Sequence, residues 1–363
     1  MEKDIRIATV YKKDYLEMFG PDKMSTVRWT RISESLANLG FKVDMIINSN
    51  DALCPTSPNL QCVPFSKVIW EKYPIVKTLY HTGYQALVQE GVERHPFVIS
   101  RLGSVVGSSD DVPGVHFFKD ERRKLYEAQL QIHEGSKYVA FSSSPDKLLW
   151  EEEFGRKDGL LLVPTGVDRI IPDPSGNPYT EFHERIAVYI GNIRKSVHQM
   201  ELNLLWQEKL NALGSLLKKK GIRLCFIGLG DTEKIDSSVV TCLGPVRNDR
   251  IWDYQYFADV GITLAMGELQ NHESSKIYYY LRTGLPVVSE EPIPNNYVIE
   301  ESNLGFISHY QDNQVMVDMI EAAIFHKWDH EGAIRYILNN HTWDKRARIY
   351  EQVIREECEA QWG

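Results

Sequence analysis

The sequence predicts an α/β protein of two doubly wound, Rossmann-like domains facing a cleft. Three observations carry this. A chain of 363 residues is about twice the roughly 150 residues of one domain. Strand, helix and strand patterns follow one another over residues 5–47 and again over 186–227. Between them, Pro-Asp-Pro-Ser-Gly-Asn-Pro at 172–178 sets three prolines and a glycine in seven residues, a run that no helix or central strand accepts. The expected organisation is 1–171, then 179–340, then a terminal helix at 341–363.

The N-terminal unit opens with an alternating strand at 5–11. A loop at 12–24 contains Gly20-Pro21, a turn signal. Ser25 or Thr26 then caps a helix through Leu39, with Val27, Ile32, Leu36 and Leu39 inward, and Gly40 ends it before a strand at 41–47. No GxGxxG follows the first strand, which disfavours a dinucleotide site there. Further strands are expected at 74–79, 96–101, 137–141 and 160–163, with helices near 83–93 and 120–133. Strand ends in such sheets point into the ligand crevice. This makes His81, Arg101, Gly103 and the loop 108–116 candidates for acceptor and catalytic contacts. Within that loop Asp110 and Asp111 fit a general base, and equally fit turn-forming residues in Ser-Ser-Asp-Asp-Val-Pro-Gly.

In the C-terminal unit a strand at 186–190 runs into Gly191-Asn192, where the missing Cβ lets backbone approach a phosphate or sugar. Arg194 or Lys195 would add positive charge there, or lie in a solvated loop. A long helix at 200–220 leads to a strand at 222–227 and Gly228-Leu229-Gly230. Strands at 239–243 and around 303–307 complete the sheet, and a helix covers 311–326.

The stretch 273–294 concentrates the chemistry. Glu273 and Ser274 suit an N-cap or first turn, Ser275 and Lys276 lie within that turn, and Ile277, Tyr280 and Leu281 share one buried face. Gly284 stands where a left-handed C-cap belongs, and Leu285-Pro286-Val287-Val288 is a short buried strand. A helix N-terminus carries unpaired N–H groups and about half a positive charge, so two hydroxyls and an ammonium added there make a cradle for a nucleotide diphosphate. The same features also describe an ordinary αβ unit with a solvated lysine. Glu268 and Glu273 are the acids placed to accept from two vicinal sugar hydroxyls.

Composition narrows the class. Hydrophobic residues at 43% and charged residues at 25% fit a globular protein. No apolar run reaches the roughly 18 residues of a membrane span, and the first residues lack a signal core, so a cytoplasmic location is expected. Net charge is −9, with 22 basic and 24 acidic groups in residues 1–175 and 19 and 26 in the rest. Basic residues cluster only at 119–124 and 218–223, without interleaved aromatics, so no nucleic-acid partner is expected. Lys119, Arg122, Arg123 and Lys124 leave room for a weak membrane-surface contact. Five cysteines at 54, 62, 225, 242 and 358 form no CxxC pair or metal spacing and are read as reduced thiols, with Cys225 and Cys242 in the core. No acidic metal pair is evident, so neither a metal nor another cofactor is required.

Ser-Ser-Lys-Ile-Tyr-Tyr-Tyr-Leu-Arg-Thr-Gly-Leu-Pro-Val-Val resembles the sugar-nucleotide motif of GT-B glycosyltransferases, particularly the large family 4. That motif has a Ser-x-Lys helix, a Glu five residues before the Gly, and Gly-x-Pro-Val-Val. Leu160 to Asp168 resembles the segment that closes the N-terminal domain, and Thr342 to Tyr350 the terminal helix that crosses back to it. The resemblance implies a pyrophosphate contact from Arg194 or Lys195, a nucleobase beside Gly228 and the backbone of Pro245 and Val246, and a UDP- or GDP-sugar donor. Two positions depart from family 4. Tyr279 replaces the Glu that usually holds the ribose, leaving Glu273 or Glu268 to substitute, and Arg101-Leu102-Gly103 stands where a His commonly follows the strand. The bacterial glucuronosyltransferases, which also lack the acidic pair, are a nearer comparison. The resemblance thus implies a glycosyltransferase, hexosyl- or glucuronosyl-transferring, acting on a saccharide, lipid-linked or small-molecule acceptor. A sugar-nucleotide 2-epimerase of the same fold and a non-catalytic nucleotide-sugar-binding protein remain the alternatives.

Overall fold

The computed structural model describes residues 5–20, 24–49, 57–108, 119–193, 200–265 and 272–362. Two parallel sheets form the frame. In the N-terminal lobe the strands are β1 (Arg6–Val10), β2 (Lys42–Ile47), β3 (Leu60–Pro64), β4 (Ile75–Leu79), β5 (Val98–Arg101), β6 (Tyr138–Phe141) and β7 (Leu160–Leu162), in the spatial order β3-β2-β1-β4-β5-β6-β7. Helices α1 (Met24–Asn38), α2 (Tyr80–Gln89), α3 (Lys119–Gly135) and α4 (Ser144–Phe154) connect them. In the C-terminal lobe β8 (Arg185–Ile190), β9 (Ile222–Ile227), β10 (Val240–Gly244), β11 (Val260–Thr263), β12 (Val287–Glu290) and β13 (Gly305–Ser308) stand in the order β10-β9-β8-β11-β12-β13. Their helices are α5 (Met200–Lys219), α6 (Ile251–Tyr256), α7 (Ser275–Arg282), α8 (Tyr297–Ser302), α9 (Asn313–Phe325) and α10 (His330–Asn340).

Apolar side chains line both faces of each sheet, as parallel sheets require. Along β1, Ile7 packs on one face while Ala8 and Val10 pack on the other. Along β8, Ile186 and Val188 alternate with Ala187 and Tyr189. Residues 171–177 have no regular structure. A last helix, α11 (Trp343–Trp362), leaves the second lobe and returns to the first. Its Trp343, Ala347, Tyr350 and Ile354 are buried among β1, β2 and α1 residues, so the lobes share a hydrophobic seam.

The expected strands lie within a residue or two of those found, while β3, β11 and the helices α4, α6, α8 and α10 had no expected counterpart. Two cysteine readings need correction. Cys62 is disulfide-bonded, not a reduced thiol. Cys242 is exposed on the edge strand β10, while Cys225, on the inner strand β9, is buried as expected. Among the described residues no helix is long and apolar enough to cross a membrane.

Candidate functional site

A cavity of about 310 Å³ opens at the carboxyl ends of β8 and β9, against the start of α7. Gly191, Asn192, Gly228, Val246, Ser275, Lys276 and Tyr279 all line it. The structure thus gathers seven of the expected donor-site residues from four separate segments.

Helix α7 is held in place by hydrogen bonds at its start and along its buried face. Ser274 enters it in an extended conformation, and Asn295 fixes that residue by accepting from its amide (2.7 Å) and donating to its carbonyl (3.0 Å). The Tyr280 hydroxyl accepts from the Ile190 amide at 2.9 Å, tying the helix to the end of β8. Gly261 of β11 makes room for that ring, since a Cβ there would lie 2.5 Å from it. Gly284 adopts φ of +72° just past the helix end, the left-handed C-cap the sequence calls for. So held, the first turn of α7 presents Ser275 and Lys276 to the cavity, and first-turn amides have no carbonyl partner inside a helix.

Lys276 reaches across to β8. Its ammonium lies 5.1 Å from the centre of the Tyr189 ring, and a Cβ on Gly191 would come 2.8 Å from its Cε. The β8 and β9 loops also abut. The Gly191 carbonyl would lie 1.6 Å from a Cβ on Gly228, and Asn192 accepts from the Leu229 amide at 2.9 Å. Glycine is required at 228 by backbone, not by a movable side chain.

The walls include residues that sequence reading missed. Trp252 of α6 stacks on Tyr279 with ring centres 5.1 Å apart and an interplanar angle of 15°. The buried Tyr279 hydroxyl and Gln255 Oε1 have no hydrogen-bond partner, and both line the cavity. From the other lobe come Met18, Phe19 and Arg31. Arg31 pairs with Asp168 at 2.9 Å. Burial opposes its charge, but Asp168 and Glu34 raise the guanidinium above its ordinary value. An isolated Trp or Arg carries no spacing signal, so nothing in the sequence singled these out.

The remaining expected residues lie elsewhere. Pro245 is exposed beside the lining residue Val246. Glu273 faces the seam between the lobes. Its carboxylate accepts from the Thr165 amide and from the Tyr278 hydroxyl at 3.0 Å, so the structure does not bring it to the cavity as a partner for sugar hydroxyls. His81 is exposed on the first turn of α2. Arg101, at the end of β5, is 2% exposed and donates to the carbonyls of Leu102 and Val163. Both lie apart from the residues lining the cavity. Asp110, Asp111, Arg194, Lys195 and Glu268 fall outside the described residues.

No protein-family model and no curated protein sequence matches the chain. Solved structures do match, over nearly its whole length. A sucrose-phosphate synthase from Thermosynechococcus elongatus aligns with a TM-score of 0.70 at 15% identity, covering 98% of this chain and 100% of its own. HepE of Anabaena, in complex with UDP-glucose, aligns at 0.67 and 12%, covering 96% and 99%. A glycosyltransferase from Rickettsia africae aligns at 0.66 and 14%, covering 98% and 99%. The fold is GT-B. Identities this low speak for the fold alone. In GT-B terms, the cavity lies in the C-terminal lobe at the interlobe cleft, and α11 is the helix that crosses back.

Proposed function

We propose that this protein is a glycosyltransferase that moves a sugar from a UDP- or GDP-sugar to a saccharide, lipid-linked or small-molecule acceptor. The observation that carries the reading is the meeting of Lys276, the first turn of α7 and Gly191 at one end of a cavity walled by stacked aromatic rings. A diphosphate suits the first end, where an ammonium and backbone amides converge on the closest approach of the β8 loop. A flat base or sugar ring suits the other, against the face of Trp252 and Tyr279. HepE, with UDP-glucose in its crystals, supports this choice of donor class.

The chemistry follows from charge. When the bond from the anomeric carbon to phosphate breaks, negative charge grows on the departing diphosphate. Lys276 and the amides of Ser275 and Lys276 already face that position, so they stabilise the leaving group without reorganising. The Tyr279 hydroxyl and Gln255 Oε1 are the unused polar groups of the cavity, and they are assigned to the ribose and base.

Thermal shift with UDP, GDP, ADP and NAD tests the donor class, because a ligand at 100 times its Kd adds about 2.7 kcal/mol of stability. UDP or GDP should stabilise and NAD should not. Lys276→Ala should weaken the binding of the active nucleotide by about 1–3 kcal/mol, as loss of a charge-assisted hydrogen bond does. Unchanged affinity would remove Lys276 from the site. An epimerase would release UDP and epimerised sugar with no acceptor present.

A further inference from the structure

A second cluster of charge lies in the N-terminal lobe, among residues that do not themselves line the donor cavity. Lys77 is the middle residue of β4, flanked on its face by Ile75 and Leu79 of the core under α1 and α11. It pairs with Ile99 of β5, and Arg101, two residues further on, therefore shares that face. Lys77 is 3% and Arg101 2% exposed. Arg28 reaches in from α1, donating to the Tyr80 hydroxyl and, at 2.8 Å, to Thr165 Oγ1. Tyr350 of α11 covers the cluster, its ring centre 4.6 Å from the Lys77 ammonium.

Lys77 and Arg101 are thus buried with the half-buried Arg28 beside them, and their neutralisation is incomplete. Arg101 donates to carbonyls, which bear no net charge. The carboxylate acting on Arg28 and Arg101 is Glu273 from the other lobe, already engaged by Thr165 and Tyr278. Two buried donors, Arg28 Nε and the fully buried Tyr350 hydroxyl, have no partner. Buried charge is costly unless paired, and both unsatisfied groups are able to donate. Burial, with Arg101 and Arg28 beside it, pushes Lys77 down to about 7.

We propose that this cluster is a binding site for a small inorganic anion, held by Lys77, Arg28, Arg101 and the Tyr350 hydroxyl between β4, β5, α1 and α11. Side chains this enclosed favour a halide or free phosphate over a substrate-sized ligand. The anion would join β4 and β5 to α1 and to the returning helix α11, and so brace the face on which the second lobe rests.

The test is thermal melting of the full chain at pH 6, where Lys77 is charged, in sodium chloride or sodium phosphate against sodium gluconate of matched ionic strength. The melting temperature should rise and saturate in chloride or phosphate beyond its value in gluconate. Lys77→Met should melt above the wild type in gluconate and lose the added response. Parallel curves for wild type and variant, or no difference between the salts, would overturn the site. Should Lys77→Met fail to fold, Tyr350→Phe removes the phenolic donor at nearly constant volume. It should raise the half-saturating anion concentration by about tenfold, the loss of one hydrogen bond to a charged group, and an unmoved midpoint would count against the proposal. Crystals soaked in bromide should show anomalous density among Lys77, Arg28 and Tyr350, and a peak only elsewhere would refute it.

Discussion

Three consecutive tyrosines in α7 illustrate how far a side chain's role depends on its direction. Tyr278 donates to Glu273 and packs on His341. Tyr279 stacks on Trp252 in the cavity. Tyr280 turns under the sheet to accept from Ile190. Successive helical residues point about 100° apart, so one triplet serves the lobe seam, the cavity wall and the strand end. At Gly191 the same scale yields a separation of binding from folding. A Cβ there meets the flexible end of Lys276 at 2.8 Å and the Tyr189 ring at 3.1 Å, so the lysine is displaced while the backbone stays. Gly191→Ala should keep its melting temperature within a few degrees of wild type and bind the cognate nucleotide about tenfold more weakly, read by calorimetry. Gly228→Ala meets the Gly191 carbonyl itself and should instead lower the melting temperature. Equal losses of stability in the two variants would contradict this division.

At the scale of elements, legibility tracked how much of the signal is local. Helix α7 was readable at both ends because its entry serines and its Gly284 stop are written in sequence, and β8 and β9 of the C-terminal sheet are runs of mostly buried apolar residues. Strand β3 was not readable. It pairs with one neighbour, β2, and ends in Pro64, so its identity as a strand is settled by tertiary pairing. Helix α4 was missed for another reason: its buried residues are Asp146 and Trp150, too few to mark an apolar face. Its start was nonetheless encoded in Ser143-Ser144-Pro145-Asp146. Ser143 caps it by accepting from the Asp146 amide at 3.3 Å, with Pro145 in the first turn. Ser143→Ala should therefore cost about 0.5–2 kcal/mol in denaturant unfolding. A loss near zero would mean the cap contributes nothing to α4. The candidate site was legible in the same partial way. Ser275, Lys276 and Tyr279 belong to one local motif, whereas Arg31, Met18 and Phe19 arrive from a lobe more than two hundred residues away in sequence.

At the scale of the whole molecule, the lobes are held by polar contacts as well as by α11. The Val167 amide donates to His341 and its carbonyl accepts from the Trp343 amide, at 2.9 and 3.1 Å. Arg346 donates to the Thr165 carbonyl at 3.1 Å. In addition, His272 of the second lobe lies 3.4 Å from Asp146 and 3.3 Å from Ser104 Oγ, both of the first. Asp146 is buried while the His272 side chain is 37% exposed. Burial opposes the imidazolium, but Asp146 more than offsets it and raises His272 above its ordinary value. A group raised on folding stabilises below its unfolded value of about 6.5, and that contribution disappears as pH rises through the folded value. The contact should thus hold the lobes together at pH 6 and relax toward pH 8. Small-angle scattering should show the radius of gyration growing over that interval in the wild type, with little change in Asp146→Asn, where the charge partner is gone at every pH. An NMR titration of His272 should shift downward in the same variant, because burial alone then acts on the imidazolium. If the variant expands with pH as the wild type does, the cleft is governed by groups other than this pair.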